Sequence, residues 1–118
     1  LATPPAWTDY TPIVTAQTGT PTTVPATGAF QQIGKTVFVR AVVDITNKGT
    51  ASNALFLTLP VTPRAVTCYG TGRENAVSGK ALLCYTGGGG DLTVTVADGT
   101  FLWTNGYQAR ISLTYEAA

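Results

Sequence analysis

At 118 residues the chain has the length of one domain, enough to bury roughly two-thirds of its unfolded surface in a single core without staples. Seven Lys or Arg against six Asp or Glu leave a formal charge of +1, and charged residues make up 11% of the chain against a typical share of about 25%. The cations are scattered, with no run to neutralise consecutive phosphates, which argues against a nucleic-acid partner; the longest apolar runs, such as 54–59, are far shorter than the ~20 residues that cross a bilayer.

Thr, Ser, Asn, Gln and Gly cover the surface instead, and β-branched Thr suits a pleated strand better than a helix. The first five residues lack the basic and apolar regions of a signal peptide, and a chain without Met is expected to be a cleaved product or part of something longer. Prolines at 4, 5, 12, 21 and 25 exclude a helix and disfavour a central strand, so residues 1–30 read as an extended N-terminal arm. Trp7, Tyr10, Ile13 and Val14 give that arm apolar surface to lay against the domain body, residues 31–118, or against a neighbouring subunit.

From Lys35 the strand period of two is plain: Val37, Val39, Ala41, Val43 and Ile45 alternate with the residues between them. A turn at Asn47, Lys48 and Gly49 leads to a second alternation, Leu55, Leu57 and Leu59, ended by Pro60, and the two predict a hairpin. Two further strands are expected over residues 65–85, joined through 75–78, with Gly72 and Gly79 where the chain bends. The glycines at 87–90 predict a mobile connector, and Leu92, Val94 and Val96 a strand with one wet face. Asp98-Gly99 and Asn105-Gly106 are hairpin-turn dipeptides framing a short strand at 101–103. In the last strand, Ile111, Leu113 and Tyr115 share a face. The fold class is therefore all-β: an antiparallel β-sandwich, jelly-roll-like, with an extended arm.

The chain holds no His, which removes the commonest general base and neutral metal ligand and with them Ser-His and Cys-His nucleophiles. Two cysteines cannot supply the four ligands of a structural zinc site, so no metal and no cofactor is expected. Were the strands around them to pair about Ala76, Cys68 and Cys84 would sit opposite each other within disulfide reach. We favour two separate thiols, since the domain needs no staple and a reducing cytosol keeps thiols reduced. Among the carboxylates, Asp98 belongs to a turn, Asp44 to a polar strand face and Glu116 to the chain end, which leaves no evident acid pair for glycoside hydrolysis and points to a non-enzyme. The glycine run has no following Lys-Ser or Lys-Thr and is no phosphate loop.

The aromatic residues carry the functional expectation. Trp103 and Tyr107 flank Asn105-Gly106, with Asp98 near in sequence, and flat apolar faces beside polar groups can stack on a sugar and bond its hydroxyls. The competing reading packs Trp103 into the core. Tyr69 and Tyr85 are expected to pack across their strand pair.

In order and spacing, Trp7-Thr8-Asp9-Tyr10-Thr11-Pro12, Phe30-Gln31-Gln32-Ile33-Gly34-Lys35-Thr36-Val37, Gly72-Arg73-Glu74, Ser78-Gly79-Lys80-Ala81-Leu82 and Tyr115-Glu116-Ala117 resemble the C-terminal domains of bacteriophage tail fibres, tailspikes and related virion appendages, including phage-derived particles. The cysteines and the 87–90 run lie outside that pattern. The resemblance implies a β-sandwich, commonly homotrimeric, at the end of a fibre, assembled in the bacterial cytoplasm as part of a virion. It implies a non-catalytic receptor-binding domain for host cell-surface polysaccharide. The alternative is a trimerisation or decoration domain that joins the rest of the fibre without a ligand.

Overall fold

The computed structural model describes residues 6–86 and 90–118; most of the glycine run expected as a connector, 87–89, lies outside the described residues, as do residues 1–5. The chain is all-β. Its strands are β1 (Thr8–Tyr10), β2 (Val14–Thr18), β3 (Ala26–Ile33), β4 (Thr36–Asp44), β5 (Ser52–Thr58), β6 (Tyr69–Glu74), β7 (Ala81–Thr86), β8 (Asp91–Val96) and β9 (Gln108–Glu116). All pair antiparallel in one continuous sheet of order β1-β3-β4-β9-β6-β7-β8-β5-β2.

The alternation in sequence becomes two faces. Val37, Val39, Ala41 and Val43 of β4 are buried, as are Ile111, Leu113 and Tyr115 of β9 beside them. From the far half of the sheet, Leu55 and Leu57 of β5, Leu82 and Cys84 of β7, and Leu92, Val94 and Val96 of β8 join the same core cluster. One sheet can enclose one core only by curling until its inner faces meet, an arrangement compatible with the expected sandwich. Thr93 is buried as well, so β8 is less wet on its outer side than its alternation predicts.

The curl has a cause in chain length. β1 and β2 are the two edges of the sheet, yet only Thr11, Pro12 and Ile13 separate them. Four Cα steps reach at most about 14 Å, whereas the edges of a flat nine-stranded sheet lie about 38 Å apart. Beside the link, Thr58 and Ile13 extend the β2–β5 pairing, with Thr58 N–H donating to Ile13 O at 3.1 Å and Ile13 N–H donating to Thr58 Oγ1 at 2.8 Å, and one bond crosses from β1 to β5, Tyr10 Oη donating to Thr58 O at 3.4 Å. Burial raises the Tyr10 hydroxyl pKa to about 12, with the Tyr115 phenol adding to the shift, so this donor keeps its proton over the ordinary pH range.

Several expectations are corrected. The described part of the expected arm, residues 6–30, is woven into the sheet: β1 and β2 form its two edges, and β3, which starts at Ala26 and runs on to Ile33, is an interior strand pairing with β4 over its full length. The prolines at 12, 21 and 25 fall between strands and punctuate the sheet without interrupting a ladder. The hairpin of β4 with β5 does not form. Both edges of β4 are taken by β3 and β9, and β5 lies between β8 and β2. Residues 101–103 form no strand, and Gly72 is no bend. It lies mid-strand, opposite Leu82 and Ile111, where a Cβ would run into Arg110 O.

The β6–β7 hairpin forms, with Tyr69 opposite Tyr85 and ring centroids 6.1 Å apart, as expected. Its register runs two residues from the one that would join the cysteines. Cys84 faces Gly70, and Cys68 O accepts from Thr86 N–H, so both thiols are free. Burial lifts the Cys84 thiol to about 11 against one opposing bond from the Gly70 backbone.

Glu74 closes this hairpin from inside. It is fully buried and accepts five bonds: from the backbone N–H groups of Ala76 (2.9 Å), Val77 (2.8 Å), Ser78 and Gln108 (2.8 Å), and from Ser78 Oγ (3.1 Å). Burial by itself raises the carboxyl pKa, but the backbone donors of Gln108, Ala76, Val77 and Ser78 together outweigh it and take the pKa down to about 2. One side chain thereby fixes the 75–78 turn to the start of β9.

Glu74→Gln replaces an acceptor with a donor among donors and is expected to destabilise the fold by roughly 2–4 kcal/mol in urea unfolding. Because the folded pKa lies below the unfolded one, the carboxylate's contribution is complete above about pH 4.5 and disappears as pH falls towards 2. In Glu74→Gln the acid limb of the stability curve should flatten. Deleting residues 1–30 removes β1, β2 and the part of β3 that covers Val39 to Val43 of β4, and circular dichroism should show loss of the native fold, not a trimmed domain.

Candidate functional site

The four residues expected to form a ligand surface are divided between core and loops. Trp103 is 8% exposed, belongs to the core cluster and points its Nε1–H at Ala54 O, 3.5 Å away. It is a core residue, not an exposed stacking face, because the irregular 97–107 connection folds inward with Leu102 and Trp103 and plugs one end of the curled sheet. Tyr107 is half-buried against that core, and its carbonyl accepts from Ile45 N–H at 2.8 Å. Asn105 Oδ1 accepts from Lys48 N–H at 2.9 Å, and Gly106, at φ +91, donates to Ile45 O at 2.7 Å. These bonds tie the 97–107 connection to the 45–51 connection. Asp98 is exposed in a separate turn: Thr100 Oγ1 and Thr100 N–H donate to its Oδ1 at 2.5 and 2.9 Å, and Lys80 Nζ sits 3.3 Å from Oδ2. The Thr100 hydroxyl, the Thr100 amide and Lys80 hold its carboxyl at about 2. Asn105, Gly106 and Tyr107 thus tie one end of the curl together, Asp98 holds another turn, and Trp103 offers no exposed ring.

A different surface has the features sought. On the outer face of the β1-β3-β4-β9-β6 half, residues alternate with the buried ones, and the register fixes who meets whom. Asp9 faces Ala29, Ala29 faces Arg40, Arg40 faces Ser112 and Ser112 faces Thr71. In the next row Thr27 faces Val42, Val42 faces Arg110 and Arg110 faces Arg73. The Arg40 guanidinium stacks on the Trp7 ring, 4.6 Å from its centroid. Ala29 is buried yet stands apart from the main core, beneath this outer layer.

Two open grooves flank the stack. One, of about 720 Å³, runs over Asp9, Thr27, Arg40, Val42 and Arg110. The other, of about 490 Å³, runs over Trp7, Phe38, Tyr69, Ser112 and Thr114 and shares Arg40 with the first. Both fall within the usual size of small-ligand sites. Trp7 is 42% exposed and Tyr69 68%, so their rings face solvent where Trp103 does not.

Sequence reasoning missed this surface for a definite reason. Trp7 lies in the segment taken for an arm, and Arg40, Arg73 and Arg110 are more than thirty residues apart along the chain. Only the register brings the three cations together; the sole advance signal was Trp7-Thr8-Asp9-Tyr10, a motif without a charge run. Comparison with known proteins returned no match among family models, curated proteins or solved structures.

The two tryptophans should behave oppositely on truncation. Trp103→Ala is expected to lower stability by about 3–5 kcal/mol, as for other buried large side chains. Trp7→Ala, at an exposed site, should lower it by under about 1 kcal/mol. Paired denaturation curves measure both.

Proposed function

We propose that this chain is the receptor-binding domain of a bacteriophage tail fibre, tailspike or related virion appendage, and that it binds host cell-surface glycan without catalysis. The observation that carries this reading is the outer surface where exposed Trp7 and Tyr69 line one of two shallow grooves, which meets the other at Arg40. Open grooves with aromatic faces and polar rims suit a sugar chain, which stacks through its apolar ring face and bonds through its hydroxyls. The virion assignment rests on the resemblance of five short motifs to fibre-end domains, and Trp7 and Asp9 stand in the first of them.

Non-catalytic binding is supported by how the carboxylates are used. Glu74 and Asp98 hold turns, Asp44 accepts from Gln108 Nε2 at 2.8 Å, and Glu116 pairs with Arg64 at 2.8 Å. Single shallow sites bind weakly, and a homotrimeric fibre end carrying three of them, several fibres to a virion, multiplies the affinity by simultaneous engagement. A purely structural trimerisation or decoration role is the second reading, favoured by the exposure of Ile13, Ile33 and Leu83.

Bacterial surface polysaccharides printed on an array, and whole host cells, test the proposal. Binding is expected for the native chain and for folded Asn105→Ala, and should fall at least about tenfold in Trp7→Ala and Tyr69→Ala. Absence of binding to any polysaccharide or cell, with a trimer mass in light scattering, would replace it with the structural reading.

A further inference from the structure

Of the seven cationic side chains, three have exposed guanidinium groups on one face without a carboxylate partner. Arg64 pairs with Glu116 and Lys80 with Asp98, while Lys35 Nζ donates to Ala118 O at 2.6 Å. Arg40, Arg73 and Arg110 form no ion pair among the described residues, and all three are exposed. Arg73 and Arg110 stand directly opposite each other on β6 and β9, the arrangement in which like charges destabilise a sheet. Arg40 is diagonal to Arg110 across β4 and β9, with Cβ atoms about 7 Å apart. Thus a chain of low charge density sets three of its cations without an ion pair on one face against local repulsion, Arg40 and Arg110 lining one groove and Arg73 standing beside Arg110, while Lys48 lies apart on the 45–51 connection.

The groove also has polarity along its length. Asp9 on β1 is exposed and has no hydrogen-bond partner among the described residues. It lies across β3 and β4 from Arg110, about 14 Å away by strand spacing. A polyanion running the length of the groove would meet Asp9 with repulsion. A ligand with an anionic group at one end and hydroxyls at the other would meet both walls favourably. Arginine is suited to the anionic end because its planar fork binds a carboxylate through two parallel bonds. The Trp7 ring stacked under Arg40 restrains that guanidinium before any ligand arrives, which lowers the entropy lost on binding.

The geometry points to a carboxylate-bearing glycan as the ligand class of this groove: Arg110 and Arg40, which line it, take the sugar carboxylate, Arg73 adds positive charge from beside Arg110, and Asp9 accepts hydroxyls of the neighbouring sugar. This deepens the glycan-binding reading and rests on it. Arg110 and Arg73 are specificity-determining residues with little part in holding the fold: Arg110 Nε donates to half-buried Gln108 Oε1, 3.0 Å away, and Arg73 Nε donates to Gly79 O at 3.4 Å.

The test prints acidic bacterial polysaccharides in native form and with their carboxyl groups reduced to alcohols, beside neutral polysaccharides and a thymidine decanucleotide. The 118-residue chain is expected to bind native acidic glycans, to lose about tenfold or more on carboxyl reduction, and to weaken as salt rises from 50 to 500 mM, a range chosen to span strong to weak screening (about tenfold in ionic strength). Arg110→Gln and Arg73→Gln should each reproduce the reduced-glycan loss while their melting temperatures hold or rise, because each removes a like-charge contact. Equal binding to native and reduced glycans would overturn the carboxylate assignment and leave the glycan reading standing. Binding to the decanucleotide as tight as to any glycan would also overturn it. Binding to none of the probes overturns both. A fall in melting temperature for both variants, with binding of the folded fraction unchanged, would make the arginines structural and sink the inference.

Discussion

The structure depends on a length constraint. Three residues join the two outermost strands of a nine-stranded sheet, and a link that short forbids the sheet from lying flat. Once the edges are drawn together, every inward side chain of β4, β5, β7, β8 and β9 points at a common interior, and the apolar alternation is converted into one core. The open edges are also kept short, since β1 has three residues and β2 five, and Tyr10 at the end of β1 bonds Thr58 of β5. Apolar burial supplies most of the driving force, while the link decides the shape into which it is directed.

The two ends of the curled sheet are closed by different chemistry. At one end Trp103 and Leu102 fill the opening, and Asn105, Gly106 and Tyr107 tie their connection to residues 45–48. Glu74 holds the adjoining turn at the same end. At the other, Tyr115 Oη donates to Val61 O at 2.6 Å, and the bridge between Pro63 and Ala117 lays the 59–68 connection over the core. With both ends of the curl covered, the two open grooves among the described residues lie on the outer face of the sheet. That is why exposed aromatic and arginine side chains on β4, β6 and β9, with Trp7 before β1, carry the functional reading, and the aromatic loop near Asn105 does not.

What was legible in the chain was whatever depends on near neighbours. The alternation at 37–45, 55–59 and 111–115 marks strands because side-chain period is a local property, and the Tyr69–Tyr85 pair followed from a hairpin whose two arms are close in sequence. The candidate site was not legible, for the same reason inverted. Arg40, Arg73 and Arg110 meet only through the pairing of β4 with β9 and of β9 with β6, and nothing within a few residues of any of them announces it. The burial of Glu74 gave no signal either. A Glu before a turn reads as a surface residue until the turn is seen to fold its N–H groups back onto it.

By itself, then, the sequence determined that this protein is built of antiparallel strands, which residues of the plainly alternating segments face inward, and that these 118 residues hold no His, since composition and a two-residue period need no partner to be read. Tertiary structure alone decided that the proline-rich start supplies both sheet edges, that β4 joins β3 and β9 in place of β5, and that three distant arginines share a face. Those outcomes rest on strand order and register, which are set by the competition of every strand for every edge and by the reach of the links between them, and such a competition has no local trace.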